Sequence, residues 1–208
     1  EAATKSGAEI VFNSQAVAAS SAGEVTLADG KRLKADLVIG ADGVNSKVRD
    51  SLGLTDVRKP LVDGCTRLLI PKIAEELGQE GATTIEYWSG SRRLLYTPCS
   101  PTEVYIALVM LDSDVVAKAV PVDQEAWTRW FPHLKPLIER LSDQGRYDRF
   151  EYIRLKRWSA GRVAIIGDAA HALPPNIGQG GGCSMMNALS MAVYLDKEPD
   201  MAKALEAW

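Results

Sequence analysis

The stretch from residue 161 to residue 187, GRVAIIGDAAHALPPNIGQGGGCSMMN, most constrains what this chain can fold into. Its apolar run Val163-Ala164-Ile165-Ile166, bounded by glycines, predicts a buried parallel strand. Gly167-Asp168 follows, which puts a carboxylate at the carboxyl edge of a sheet, where open α/β folds bind ligands. Pro174-Pro175 stiffens the approach to Gly178-Gln179-Gly180-Gly181-Gly182, and a helix is predicted from Cys183 through Leu195. Glycines in that position let the backbone come close to a flat ligand and turn helix-start N–H groups toward it. Taken alone, such a segment is more often a tight turn than a ligand site.

A second element of the same kind changes the balance. Residues 36–49, DLVIGADGVNSKVR, predict another strand, Leu37-Val38-Ile39-Gly40, again ending beside an acidic residue and a glycine, Asp42-Gly43. Ser46 then offers an N-cap for a short helix carrying Val48 and Arg49. Together with GDAAH, the Pro-Pro pair and GQG, these residues resemble the DG and GD motifs of the flavin-dependent aromatic hydroxylases built like para-hydroxybenzoate hydroxylase. The resemblance implies an α/β chain, α+β overall: a Rossmann-like FAD/NAD(P)-binding domain interrupted by a mainly antiparallel substrate domain. It also implies residue roles. Asp42 and Gly43 are expected near the FAD pyrophosphate, Gly167 and Asp168 at a ribitol or ribose hydroxyl, and Gly178, Gln179, Gly180, Gly181 and Gly182 along the isoalloxazine edge. Pro174 and Pro175 are expected to face the ring and substrate, with carbonyls available as acceptors.

Composition bounds the rest. The 208 residues, 46% hydrophobic, can bury one large or two small cores. A net charge of −3 with both signs interspersed suggests neither a nucleic-acid nor a membrane partner. Three widely spaced cysteines make no metal pattern and no disulfide framework, so a reduced, cytoplasmic protein is expected. Dinucleotide-binding folds carry a GxGxxG fingerprint on their first strand and helix, and this sequence has none. The chain therefore reads as an internal piece of a longer enzyme, inactive by itself.

In chain order, residues 9–12 predict a strand leading into 15–19, and 24–28 alternate in period two before a tight turn at Asp29-Gly30 and a strand over 31–33. Beyond Leu54 the β-rich runs 65–70, 83–88, 92–97 and 103–110 predict an antiparallel sheet. Asp123 caps a predicted helix whose Trp127, Trp130, Phe131 and Leu134 read as core. Pro132 and Pro136 break it, and a second helix is expected from about His133 to Leu141. Residues 147–155 form one more extended segment, and 201–208 a helix. Arg92, Lys72 and the charges of 74–79 read as a solvated face, and His171 as structural. The domains expected are 1–58, 59–153 and a return segment 154–208, with the ligand site where they meet.

Within the hydroxylase family, residues 67–71, 93–99, 131–132 and 146–148 resemble the oxygenases that act on hydroxypyridine carboxylates. By strand parity one residue of each of the runs 65–70, 92–97 and 103–110 is expected to point toward the flavin, Arg67, Arg93 and Tyr105, matching substrate-pocket residues of that group, with Phe150 where the group has a tyrosine. Two arginines suit a ring carboxylate, so the expected substrate is a small hydroxylated aromatic or N-heteroaromatic carboxylate. The resemblance implies noncovalent FAD, NAD(P)H as co-substrate, and molecular oxygen captured as a flavin C4a-hydroperoxide that hydroxylates the ring, with or without opening it. Pro174, Pro175 and Tyr105 are its candidate catalytic residues. Self-association as a homodimer is compatible with it. A FAD-dependent reductase on the same fold, or a non-catalytic flavin-binding scaffold, are the other two readings. Asn187 stands where relatives commonly carry an acidic residue.

Overall fold

The computed structural model describes residues 2–77, 83–141 and 144–208. The chain divides into two compact units, one of Glu1–Lys59 with Glu151–Trp208, the other of Pro60–Phe150. The first begins with α1 (Ala2–Lys5), β1 (Ala16–Ser20), β2 (Glu24–Leu27), β3 (Arg32–Lys34), β4 (Val38–Gly40) and α2 (Lys47–Ser51). Then β5 (Thr55–Pro71) carries the chain into the second unit, which holds β6 (Ile85–Ser89), β7 (Arg92–Pro98), β8 (Glu103–Leu111), α3 (Gln124–Trp130) and α4 (Lys135–Ile138). β9 (Arg146–Leu155) returns it to β10 (Ser159–Ala160), β11 (Val163–Ile165), α5 (Asp168–His171), α6 (Gly180–Lys197) and α7 (Met201–Ala207).

In the first unit β1, β2 and β3 form an antiparallel meander, with Val25 opposite Leu33. Its turn works as the sequence predicts: Asp29 Oδ1 accepts the Lys31 amide at 2.9 Å, and Gly30 takes φ 86°. Beside it, β11 runs parallel to β4, pairing Val163 with Val38 and Ile165 with Gly40. Val163, Ala164 and Ile165 are fully buried, which explains a continuous apolar run in place of alternation. A Cβ on Gly40 would lie 2.7 Å from Ile165 Cδ1 and 2.9 Å from Val48 Cγ1, so α2 sits on the strand only because residue 40 has no side chain.

Residues 9–12 are not a strand. Ile10, Val11 and Phe12 are exposed, and among the described residues no neighbour pairs with them; an extended segment without a ladder partner is not a strand, whatever its propensity. The last long helix, α6, starts at Gly180 and not at Cys183, so three of the glycines form its first turn.

The second unit is built on a five-stranded sheet, ordered β6-β7-β8-β5-β9. One face carries Leu68, Leu94, Ile106 and Leu108, packed under Trp127 and Phe131. Asp123 caps α3 by accepting the Ala126 amide at 2.8 Å. Beyond it the two prolines yield a 3₁₀ turn (Pro132–Leu134) and the four-residue α4, shorter than the helix expected. Trp130 is not core: it is 42% exposed and takes the Arg92 guanidinium over its ring. Arg92 and Lys72 are buried rather than solvated. Arg92 donates to Asp114 at 2.9 and 3.2 Å and to the Ala126 carbonyl at 2.8 Å, and lies 5.4 Å from the Trp127 ring centroid. Full pairing is what allows that charge inside. Of the predicted charged face 74–79, residues 78 and 79 lie outside the described residues. No described helix is long and apolar enough to cross a membrane.

Candidate functional site

The predicted site residues fall into two sets, one in each unit. In the first unit, Asp42 acts as a helix cap. Its carboxylate accepts the Ser46 hydroxyl and the amides of Lys47, at 2.8 Å, and Val48, at 3.2 Å. Ser46 in turn accepts the Arg49 amide at 2.9 Å, so both first-turn acceptors are in use. Arg49 is fully buried, donating to the carbonyls of Val44 and Ala169 at 3.0 and 3.2 Å and pairing with Asp50 at 2.8 Å. The DG segment is thereby tied to the GD segment. Gly43, at φ 76°, has nothing within 4 Å of where a Cβ would stand.

The return segment makes the other wall. Gly167, buried at φ 61°, turns the chain out of β11 into the short α5, and Asp168 emerges exposed. The Gly167 amide donates to Asn187 Oδ1 at 3.3 Å, which gives Asn187, itself buried, its role: it clamps the strand-end turn to α6. Pro174 is half-buried and Pro175 exposed at the start of a 3₁₀ turn that ends on Gly178 in the left-handed region, φ 64°. Gly180, Gly181 and Gly182 then supply first-turn amides that an α-helix cannot satisfy internally. A Cβ on Gly181 or Gly182 would meet nothing within 4 Å, and one on Gly180 would first meet Asp168 Oδ1, at 4.0 Å. Packing within the chain therefore does not require these glycines; they leave an open surface at a helix N-terminus next to a carboxylate. His171 packs against Trp158, with ring centroids 5.4 Å apart and the planes tilted by 32°.

In the second unit the register settles which side chains share a face. Arg67 pairs with Ala107, Leu69 with Tyr105, Arg93 with Val109 and Thr97 with Tyr105, which sets Arg67, Arg93 and Tyr105 on the face opposite the Trp127 core. Phe150 joins them in a small cluster with Cys65, Ala107 and Val109, and is itself buried. Both arginines are already engaged. Arg67 Nη1 donates to Asp148 Oδ2 at 2.7 Å, and Arg93 Nη1 to Glu86 Oε1 at 3.2 Å with its guanidinium 4.7 Å from the Trp88 ring. Burial, with the neighbouring Cys65, pushes the Tyr105 hydroxyl above the ordinary phenol range, and Arg67 only partly opposes this. Burial drives the Cys65 thiol up to about 11, so it stays protonated and inert.

Comparison with known proteins gives the family. Residues 1–198 match the family described as FAD binding domain. The chain belongs to that family. This FAD binding domain is 42% identical to 2-methyl-3-hydroxypyridine-5-carboxylic acid oxygenase, solved in a tetrameric form, with a TM-score of 0.88 over 99% of this chain and 57% of that one. It is 40% identical over 210 residues to the 2-heptyl-3-hydroxy-4(1H)-quinolone synthase of Mycobacteroides abscessus, covering 100% of this chain and 56% of that protein. It is 27% identical to the 6-hydroxynicotinate 3-monooxygenase of Bordetella bronchiseptica, covering 77% of this chain and 44% of that protein. The FAD binding domain thus spans about half the length of the curated relatives it matches.

The residues present fit the cofactor. A glycine-lined helix N-terminus whose open Cβ positions clash with nothing suits the close approach of a flat, electron-rich ring edge, and the exposed Asp168 suits a hydroxyl donor. Asp42 is the exception among the expected cofactor contacts, since its oxygens cap α2. Sequence reasoning singled out Asn187 without giving it a role, and missed the roles of Asp148 and Glu86. For Asp148 a signal existed, because period two counted back from Phe150 puts it on the same sheet face. For Asn187 none did; its partner lies 20 residues away.

Proposed function

We propose that the full-length protein is a FAD- and NAD(P)H-dependent monooxygenase that hydroxylates a small hydroxylated aromatic or N-heteroaromatic ring with molecular oxygen. The observation that carries this reading is the open glycine turn Gly180–Gly182 at the N-terminus of α6, flanked by the exposed Asp168. Bound FAD, once reduced by NAD(P)H, would supply the oxygen-activating chemistry. The chain's own residues position and shield. First-turn amides of α6 stabilise negative charge on the ring edge of the cofactor, as a helix N-terminus does for any anion. Asp168 accepts a hydroxyl of its side chain. Pro174 and Pro175 hold a rigid wall with carbonyls as acceptors, limiting water at the reacting atoms. Tyr105, kept protonated by burial, donates a hydrogen bond to the substrate oxygen and does not act as a base.

An N-heteroaromatic ring is supported by the names of the relatives, an oxygenase of a hydroxypyridine carboxylic acid, a synthase of a hydroxyquinolone and a monooxygenase of a hydroxynicotinate. Self-association is supported by the tetrameric form of the hydroxypyridine enzyme. The test is direct. Full-length protein should purify yellow with noncovalent FAD, and a neutral or acidic hydroxylated ring should stimulate NAD(P)H oxidation with one oxygen atom recovered in the product. Colourless protein that takes up no FAD refutes the reading. So does NAD(P)H consumption that no aromatic compound alters, which would instead favour a reductase.

A further inference from the structure

We infer that Trp158 is a positioning residue for the cofactor: its indole packs on His171 and, through the single turn of α5, holds the Asp168 carboxylate where a cofactor hydroxyl can reach it. The inference rests on the FAD site proposed above and names a residue that stands behind it. α5 has only four residues, Asp168–His171, too few to hold a helical form or a direction by themselves. Its place is set from outside. Arg49 Nη1 donates to the Ala169 carbonyl at 3.2 Å, and the Ile153 amide donates to the Ala172 carbonyl at 2.9 Å. Ala169 and Ala170 are fully buried and turn inward. These contacts fix the backbone path, but none of them touches a side chain on the outer side of the turn.

Asp168 and His171 are three residues apart, so they stand side by side on that outer side. The carboxylate is exposed and the imidazole half-buried. Among the described residues the His171 ring makes no hydrogen bond or ion pair, so ring packing sets its place. Its partner there is Trp158, at a centroid separation where aromatic rings attract one another. Trp158 is itself held on two sides. Its carbonyl accepts the amide of Ile165 in β11 at 2.8 Å, and the Trp208 ring meets its indole at 5.6 Å and 70°. The indole stays 37% exposed, so filling a core is not its main effect. A turn tied only through its backbone can rock about those ties and swing the carboxylate with it. A flat ring set against His171 blocks that motion on the side where Asp168 stands. A group that contacts a ligand acts fully only when the packing behind it locks its geometry.

The experiment is a double-mutant cycle on full-length protein stripped of FAD and titrated back. The dissociation constant is read from flavin fluorescence per folded molecule, beside the Tm of each apoprotein. Asp168→Ala should weaken FAD binding by roughly tenfold, and Trp158→Leu by roughly fivefold, the scale of one aromatic pair. Trp158→Phe, which keeps a ring against His171, should stay within about twofold of wild type. In the Asp168→Ala background Trp158→Leu should add less than about twofold, because the carboxylate it positions is gone. His171→Leu closes the same cycle from the other ring, should Trp158→Leu fold poorly. A loss of affinity that persists in full without Asp168 overturns the inference. So does a Trp158→Leu variant of unchanged affinity, whatever its apoprotein Tm, since the indole would then serve stability alone. Protein that takes up no FAD, or an Asp168→Ala variant of wild-type affinity, fails the cofactor site itself, a distinct result that removes the inference with it.

Discussion

Replacing Asp42 with alanine separates two roles that one carboxylate has been given. The DG motif by resemblance sets Asp42 at the cofactor pyrophosphate, yet its oxygens accept the Ser46 hydroxyl and the amides of Lys47 and Val48. Those amides belong to the first turn of α2, where no intrahelical acceptor exists. Loss of such a cap costs about 0.5–2 kcal/mol, and loss of a negative charge at the helix N-terminus about 0.3–1 kcal/mol more. The Ser46 hydroxyl, fully buried, also loses its acceptor. A destabilisation of about 2 kcal/mol follows, a fall of a few degrees in Tm for a protein of this size or larger. The assay is thermal unfolding of the FAD-free full-length protein, alongside FAD content per folded molecule. Asp42→Ala should lower Tm in the absence of cofactor, and Asp42→Asn, which keeps one acceptor, should lower it less. An apoprotein Tm equal to wild type with FAD binding lost would refute the capping argument and return Asp42 to the cofactor.

The other perturbations act on single contacts. Gly180→Val should weaken FAD retention by roughly tenfold or more and leave the apoprotein Tm unchanged, because the added Cβ meets nothing in this chain nearer than Asp168 Oδ1 at 4.0 Å; a matching loss of Tm would make the turn merely structural. Asn187→Leu removes the acceptor for the buried Gly167 amide and should cost about 1–3 kcal/mol in urea unfolding, with Asn187→Asp recovering most of it. Arg92→Met strands Asp114 and the Ala126 carbonyl and should cost about 3–5 kcal/mol, while FAD per folded molecule stays at the wild-type value. Burial pushes the Asp114 carboxyl up, but the Arg92 hydrogen bond and the Ala117 amide outweigh it and hold the group below its usual range. Its contribution is therefore fully present above the unfolded value near about 3.9 and is lost as pH falls through the lower folded value; Arg92→Met should flatten the stability profile in that acid window and, near neutrality, lower it without changing its slope.

What was legible in the sequence is what local chemistry dictates. The wholly apolar 163–165 run read as a strand covered on both sides, and it is one. Ser46 and Asp123 were readable as caps because a cap acts within three residues of itself. The alternation within 65–70, 92–97 and 103–110 is legible strand by strand, but the register of β5, β7 and β8 is what sets Arg67, Arg93 and Tyr105 on one face.

What the tertiary structure decided is where each charge goes. Composition treats Arg92 and Arg93 alike, neighbours on one strand, yet parity sends one between Trp127 and Trp130 onto Asp114 and the other onto Glu86. Asp148 shows its face by period two but not its partner, Arg67, which lies 81 positions away. The same distance hides the failure of residues 9–12 to form a strand, because a strand is a property of two segments and propensity describes one. Local rules act over a few residues, and an apolar pattern repeats within them. A charge is assigned by whichever opposite charge the fold brings within hydrogen-bonding distance, and that separation in sequence is set by the topology alone.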